Sequence, residues 1–291
     1  MAAPDSRSGS SGVVVAIVAA VAFGLLYRDV IVRLVAYWNF DANYSHGFLI
    51  APLAGYIAWQ RRDVLRGAGS YVGIAGMLAG FGLLLAGDLG AELFLTRISM
   101  VLMLASLTVL VAGWRGVARL TLPLGLLLLT IPVPAIIFNQ VAFPLQMLAS
   151  RAGEVTLQLL QIPVLREGNV IVLSTTTLEV AEACSGIRSL MSLFSLALVY
   201  GYFTHGSIAA RTALVAASIP IAIVANAARV AGTGVAAHFY GPAAAEGVLH
   251  TFSGWLMFLA ALGMLLVIDS AIVKPLIASR GSLGNAGMVR A

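Results

Sequence analysis

Three side chains capable of chemistry lie in the second half of the sequence: Cys184, Arg229 and His250. A cysteine attacks as its thiolate, which a helix N-terminus or a nearby cation favours. Histidine exchanges protons near neutral pH, and arginine offers fixed donors for an oxyanion or a carboxylate. Together these residue types indicate a cysteine-dependent acyl transfer or peptide cleavage.

Three further residues could support this chemistry. Arg188 follows Cys184 by four positions, so a continuous helix would place both on one face. Asn226 precedes Arg229 by three positions and could orient the guanidinium or the substrate. His46, in Tyr44-Ser45-His46-Gly47, is a candidate for positioning the substrate.

Each of these residues also has a simpler interpretation, which stays open here. A single cysteine in an apolar helix commonly packs as a small hydrophobe, and an interfacial histidine is commonly only hydrogen-bonded. Arginine near a helix end can reach the lipid headgroups. The four histidines contain no HExxH pair, so no metal and no cofactor is expected.

The composition is that of a membrane protein. Of 291 residues, 60% are apolar and 10% charged, and the mean hydropathy is +0.98. The single cysteine excludes a disulfide framework, a four-cysteine zinc site and a thiolate-held iron–sulfur cluster. The net charge of +5 is not gathered on one stripe with aromatics, so nucleic acid is not expected as a partner.

Long apolar stretches predict an all-α polytopic fold with about eight transmembrane helices. Short flanking segments separate them, and no internal repeat is visible. The predicted spans are Val13–Leu34, Ser45–Trp59, Tyr71–Ala86, Ile98–Gly113, Leu120–Phe138, Ser185–Phe203, Ile208–Val230 and His250–Val273.

The basic residues predict the orientation of these spans. Of 17 lysines and arginines, ten fall on the side of the N-terminus, five on the opposite side, and Arg188 and Arg229 within spans. Both termini are therefore expected in the cytoplasm. Residues 1–12 are expected to be a flexible leader, 13–273 the membrane domain and 274–291 a cytoplasmic tail. This topology brings Cys184, Arg229 and His250 to the outer face.

The segment 138–183 is expected to be an outer insertion before the sixth span. Residues Phe143–Gln161 predict a small amphipathic helix on the membrane surface or the bundle. Its apolar face carries Leu145, Leu148, Ala152, Val155 and Leu159. The β-branched runs Asn169–Leu173 and Thr176–Val180 predict a β-hairpin that leads into Cys184.

Four motifs resemble the exosortase/archaeosortase family of membrane-embedded, sortase-like cysteine transpeptidases. They are Tyr44-Ser-His-Gly-Phe48, Ala183-Cys-Ser-Gly-Ile-Arg-Ser189, Asn226-Ala-Ala-Arg229 and His250-Thr-Phe-Ser-Gly-Trp255. The resemblance covers roughly Tyr44 to Val273. Four motifs in order are far more specific than any one of them.

The resemblance implies a multi-pass enzyme of the bacterial inner membrane with its active site on the periplasmic side. Such enzymes cleave exported proteins at a C-terminal sorting tail, which has a Pro-Glu-Pro-like motif, a transmembrane helix and a basic cluster. They transfer the product to an acceptor. Cys184 would be the nucleophile, with Arg229 and His250 as the other catalytic residues; Arg188, Asn226 and His46 match supporting positions.

Some members of this family carry an additional C-terminal periplasmic domain. This chain ends soon after its last predicted span, so such a domain is expected as a separate accessory protein. The alternative function is a membrane carrier or flippase that binds an anionic envelope precursor through Arg188 and Arg229. That alternative calls for paired charges near the bilayer midplane and repeat symmetry, and the sequence contains neither. A structural subunit of an envelope-assembly complex is the third possibility.

Overall fold

A computed structural model describes residues 18–66, 68–174, 176–180, 186–241 and 247–275. Cys184 and its immediate neighbours in 181–185 lie outside the described residues, as do most of the predicted leader and of the predicted tail. The chain divides into two compact units, Met1–Pro132 and Val133–Ala291. Each unit has its own buried core, and each is considered by itself.

The first unit is entirely helical in its described residues. Residues 18–26 are helical and lead directly into the first complete helix. The helices are α1 Arg28–Phe40, α2 Gly47–Gln60, α3 Val72–Leu89 and α4 Leu93–Leu129, with a 3₁₀ turn at Arg62–Arg66.

The long helix α4 reverses direction at Gly113. A straight helix of its 37 residues would be about 55 Å long. Yet the Arg97 guanidinium lies 5.1 Å from the centre of the Tyr37 ring, and the Leu129 carbonyl lies 3.2 Å from Nε2 of His46. Both ends of α4 therefore contact the short segment 37–46. The reversal needs the backbone of Gly113 (φ 68°, ψ −171°), which only glycine adopts easily.

The second unit combines helices with a small antiparallel sheet. The chain order is α5, β1, β2, β3, α6, α7, α8 and a π-helical turn. Their bounds are α5 Ala135–Leu159, β1 Val164–Glu167, β2 Val170–Leu173, β3 Thr177–Glu179, α6 Ile187–Thr204, α7 Ile208–Tyr240, α8 Gly247–Ile268 and the π-turn Asp269–Val273.

The sheet lies where the sequence predicts a hairpin. Strands β2 and β3 pair antiparallel with Ile171 opposite Leu178, and β1 pairs with β2 on its other side. Strand β1 is not predicted, because its four residues include the charged pair Arg166 and Glu167 and show no clear alternation. Nε of Arg166 donates to Oε2 of Glu154 at 2.8 Å, which joins the sheet to α5.

Helix α5 packs on the protein with a face other than its predicted apolar face. Of the predicted apolar face, Leu148 and Val155 are 47% exposed and Leu159 is 79% exposed. Apart from Leu157, the buried residues are smaller or polar: Ala142, Gln146, Ala149, Ser150 and Gly153. In a membrane protein, large apolar side chains can face lipid while small residues allow close helix contact, so the exposed apolar face of α5 fits the predicted membrane surface rather than the bundle.

Helix α7 passes through both hydrophobic cores of the second unit. Its first part, up to Ala225, packs with α6 and α8. Its last part, from Val230 to Ala237, packs with α5 and the sheet. Residues 226–229 therefore lie at the junction between a helical core and a core that includes β-structure.

The chain is a multi-pass membrane protein. Five helical segments of the described residues are long and apolar enough to span a bilayer: Val72–Leu89, Leu93–Leu129, Ile187–Thr204, Ile208–Tyr240 and Phe252–Val273. The predicted count of about eight is not reached. The first predicted span begins outside the described residues, and α2 has only 14 residues. The predicted span Ile98–Gly113 lies within α4, and Leu120–Phe138 begins in α4 and runs past its end at Leu129 into α5.

Candidate active site

The start of α6 packs directly against Asn226 of α7. Gly186, two residues after Cys184, is the N-cap of α6 and has a left-handed backbone (φ 78°). A Cβ atom at Gly186 would lie 2.6 Å from Cγ of Asn226. Only glycine at position 186 allows the backbone to come this close to the side chain of Asn226, a buried residue that is 4% exposed.

Arg229 lies one helical turn from Asn226 and contacts α8. The residue is buried, at 8% exposed. Its Nη1 atom lies 3.6 Å from the position that a Cβ atom would take at Gly254. His250 is in helical backbone one turn before Gly254, so the two share a face of α8. The imidazole of His250 lies outside the described side chains.

These contacts bring three helices of the second unit to one place. The N-terminus of α6, residues 226–229 of α7 and the face of α8 that carries Gly254 converge. About 20 helical residues cross the hydrocarbon core of a bilayer, and 20 residues counted from Ile208 end at residue 227. The converging residues thus lie one bilayer thickness from the opposite end of α7.

A narrow cleft opens beside Gly186 and Asn226. Its space, including the open mouth, is about 240 Å³. The walls come from three helices and are mostly apolar: Leu145, Ala149, Gly186, Leu190, Ala222, Ile223 and Asn226. The cleft has room for about one water molecule beside Gly186, the N-cap of α6.

Arg188 does not join this cluster. It is exposed, whereas its neighbour Ile187 is buried. The expectation that Arg188 shares a face with Cys184 assumed a continuous helix. Because Gly186 has a left-handed backbone and α6 begins at Ile187, helical spacing does not connect the two positions.

His46 lies in the first unit, in the turn that precedes α2. Its Nδ1 lies 3.1 Å from the Asn43 carbonyl oxygen and its Nε2 lies 3.2 Å from that of Leu129. Each ring nitrogen faces a backbone carbonyl oxygen, and the nitrogen that carries the proton donates a hydrogen bond. His46 therefore packs between its own turn and the end of α4.

A buried polar cluster at the other end of the second unit was not predicted. Asp269, fully buried, accepts a hydrogen bond from the Tyr200 hydroxyl at 2.8 Å and lies 2.6 Å from Nε2 of His205. Lys274 lies 3.2 Å from the same carboxylate. No local pattern joins His205 to Asp269, which is 64 positions away; an acidic residue within an apolar span was the available signal.

Within the described residues, no group of three or more His, Cys, Asp or Glu side chains is placed to hold a metal ion. At the convergence of α6, α7 and α8, a buried guanidinium can stabilise negative charge, and the narrow apolar cleft can receive a small group of a substrate.

The fold and this convergence define a polytopic membrane protein with a polar site among its helices. A family model described as transmembrane exosortase matches residues 38–267. The chain belongs to the transmembrane exosortase family. No curated protein and no solved structure is similar enough to the chain to match it.

Proposed function

We propose that the protein is a cysteine-dependent membrane peptidase and transpeptidase that cleaves C-terminal sorting tails of exported proteins. The packing around Asn226 supports this most directly. Gly186, two residues from the only cysteine, packs on Asn226. Arg229, one helical turn after Asn226, contacts the helix that carries His250. Family membership supports the same reaction class.

The proposed reaction begins with transfer of the Cys184 proton to His250. The thiolate attacks the scissile carbonyl carbon, and Arg229 stabilises the oxyanion that forms. The C–N bond then breaks as the imidazolium gives its proton to the leaving amine. An acceptor amine or hydroxyl, or water, loses its proton to His250 and attacks the thioester. The C–S bond breaks and the thiolate is restored.

In this proposal the remaining residues have supporting parts. Asn226 positions the start of α6 and so the thiol, consistent with its contact to Gly186. The cleft lined by Ala149 and Ala222 receives a small group of the substrate next to the cut. Arg188, being exposed, contacts a lipid headgroup rather than the thiol or the scissile part of the substrate.

The proposed setting is the bacterial inner membrane, with both termini in the cytoplasm and the site on the periplasmic side. The excess of basic residues on the side of the N-terminus supports this orientation. The expected substrates carry a Pro-Glu-Pro-like motif followed by a transmembrane helix. The eight-span topology belongs to this proposal, with the two arms of α4 on either side of Gly113 as separate spans.

The test is cleavage of a cognate tail protein by the full-length enzyme in membranes. Cys184→Ala and Arg229→Gln should each reduce cleavage at least 100-fold, because they remove the nucleophile and an oxyanion donor. Arg188→Gln is the matched control, an exposed arginine that should retain cleavage within a few-fold. Mass spectrometry should find a thioester between the wild-type chain and the substrate.

The single cysteine adds an independent measurement. A membrane-impermeant thiol reagent modifies only Cys184, so its rate reports both the side of the membrane and the reactivity of this thiol. Labelling from the periplasmic side is expected in wild type and in Arg188→Gln. Full cleavage by Cys184→Ala would show that covalent catalysis by this thiol is wrong.

A further inference from the structure

Arg97 in the first unit is a buried cation with few compensating contacts. The residue is 4% exposed and lies in the second turn of α4. Its guanidinium lies 5.1 Å from the centre of the Tyr37 ring. Among the residues that the structure describes, none forms a hydrogen bond or an ion pair with Arg97.

This arrangement leaves most of the guanidinium's bonding capacity unused. Arginine has five N–H donors and keeps its charge. Burying a charge without a partner costs several kcal/mol, whereas a cation–π contact returns about 1–2 kcal/mol. The difference indicates that an anionic group completes the site.

The neighbouring acidic side chains do not supply that group. The carboxylate of Asp41 accepts hydrogen bonds from the Tyr37 hydroxyl at 3.1 Å and from the Asn43 backbone N–H at 2.8 Å. Glu92, the N-cap of α4, is exposed and forms no ion pair with Arg97 among the described residues. Arg97 also lies at the positive end of the α4 dipole, which adds to the attraction for an anion.

We propose that Arg97 and the first turns of α4 bind a phosphate group. A phosphate offers several acceptor oxygens to the guanidinium fork and accepts bidentate hydrogen bonds. The site lies at a helix end where Tyr37, Trp38 and Tyr44 cluster, and tyrosine and tryptophan concentrate at the level of lipid headgroups. A phospholipid headgroup and free phosphate share this chemistry.

The test measures binding to the full-length protein in detergent. Native mass spectrometry with added phosphatidylglycerol should show one retained lipid on wild type. Arg97→Gln should weaken this binding at least tenfold. Arg33→Gln, which removes an exposed arginine from α1, is the matched control and should bind as wild type does.

The variant Arg97→Lys tests the site even if Arg97→Gln does not fold, and inorganic phosphate distinguishes free phosphate from a lipid headgroup as the ligand. Arg97→Lys keeps the charge but loses the planar fork, so it should bind several-fold more weakly than wild type even if Arg97→Gln does not fold. Thermal stabilisation by inorganic phosphate alone, lost in Arg97→Lys, would support the site with free phosphate as its ligand. The proposal would be overturned if wild type and Arg97→Lys bound both probes equally. It would also be overturned if Arg33→Gln lost as much lipid binding as Arg97→Gln.

Discussion

Replacing Gly186 with alanine tests how closely the segment beside Cys184 must approach α7. Two costs add at this position. A non-glycine residue in the left-handed conformation costs about 1–2 kcal/mol. The new Cβ would also lie 2.6 Å from Cγ and 2.8 Å from Cβ of Asn226, and both atoms belong to a short side chain on a packed helix. Overpacking of this kind costs about 1–3 kcal/mol.

Gly168→Ala is the matched control for this substitution. Gly168 also has a positive φ (66°), but nothing lies within 4 Å of its added Cβ. Gly168→Ala should therefore lower the free energy of unfolding by about 1–2 kcal/mol, and Gly186→Ala by about 2–5 kcal/mol. Gly186→Ala costs more free energy than Gly168→Ala. If part of this difference displaces the thiol instead of unfolding the chain, each 1.4 kcal/mol of it lowers tail cleavage about tenfold.

The assays are denaturant unfolding in detergent and kcat/KM for tail cleavage. The double variant Gly186→Ala with Asn226→Gly removes every Asn226 side-chain atom that the new Cβ meets. It should be more stable than the sum of the two single changes, by about 1–3 kcal/mol. If Gly186→Ala is no more harmful than Gly168→Ala in either assay, the argument from close approach is refuted.

Two further predictions concern buried positions of the second unit. Asp269→Asn should lower the free energy of unfolding by about 1.5–3 kcal/mol, because it replaces the charged acceptor of the buried His205 ring; Lys274 is about half exposed and adds little. Tyr200→Phe removes one hydrogen bond to the same group and should cost about 1 kcal/mol; an equal loss in both variants would contradict the ionic account. Ala222→Leu should fill the cleft and reduce kcat/KM at least tenfold, with thiol labelling retained, whereas Ala216→Leu on the exposed face of α7 should not. Unchanged cleavage by Ala222→Leu would remove the cleft from the substrate path.

The sequence was a good guide to those parts of the fold that local pattern determines. Apolar runs located the main helices, and β-branched residues located β2 and β3. The sequence left open whether the apolar face of α5 packs on the bundle or on the membrane, because lipid and protein both accept apolar surface and hydrophobicity does not distinguish them. Small residues such as Gly153 were the better signal for the protein-facing side.

The candidate site was predictable in its residue types but not in its packing. The order of spans placed Arg229 and His250 on neighbouring helices, and the structure brings Arg229 to the face of α8 that carries His250. The contact between Gly186 and Asn226 depends on the positive φ angle of Gly186. In the sequence this position is only one glycine among many, so its backbone angle could not be predicted. The pairing of His205 with Asp269 depends on tertiary packing over 64 positions, beyond the reach of any local pattern.

The length of α7 has a consequence for engineering this protein. A helix of 33 residues is a stiff rod of about 50 Å, and Arg229 sits on it with one hydrophobic core on each side. Changes that shift the small sheet will therefore displace the end of α7 that packs on it and move the guanidinium of Arg229. Redesign of substrate choice has to preserve the sheet as carefully as the cleft itself.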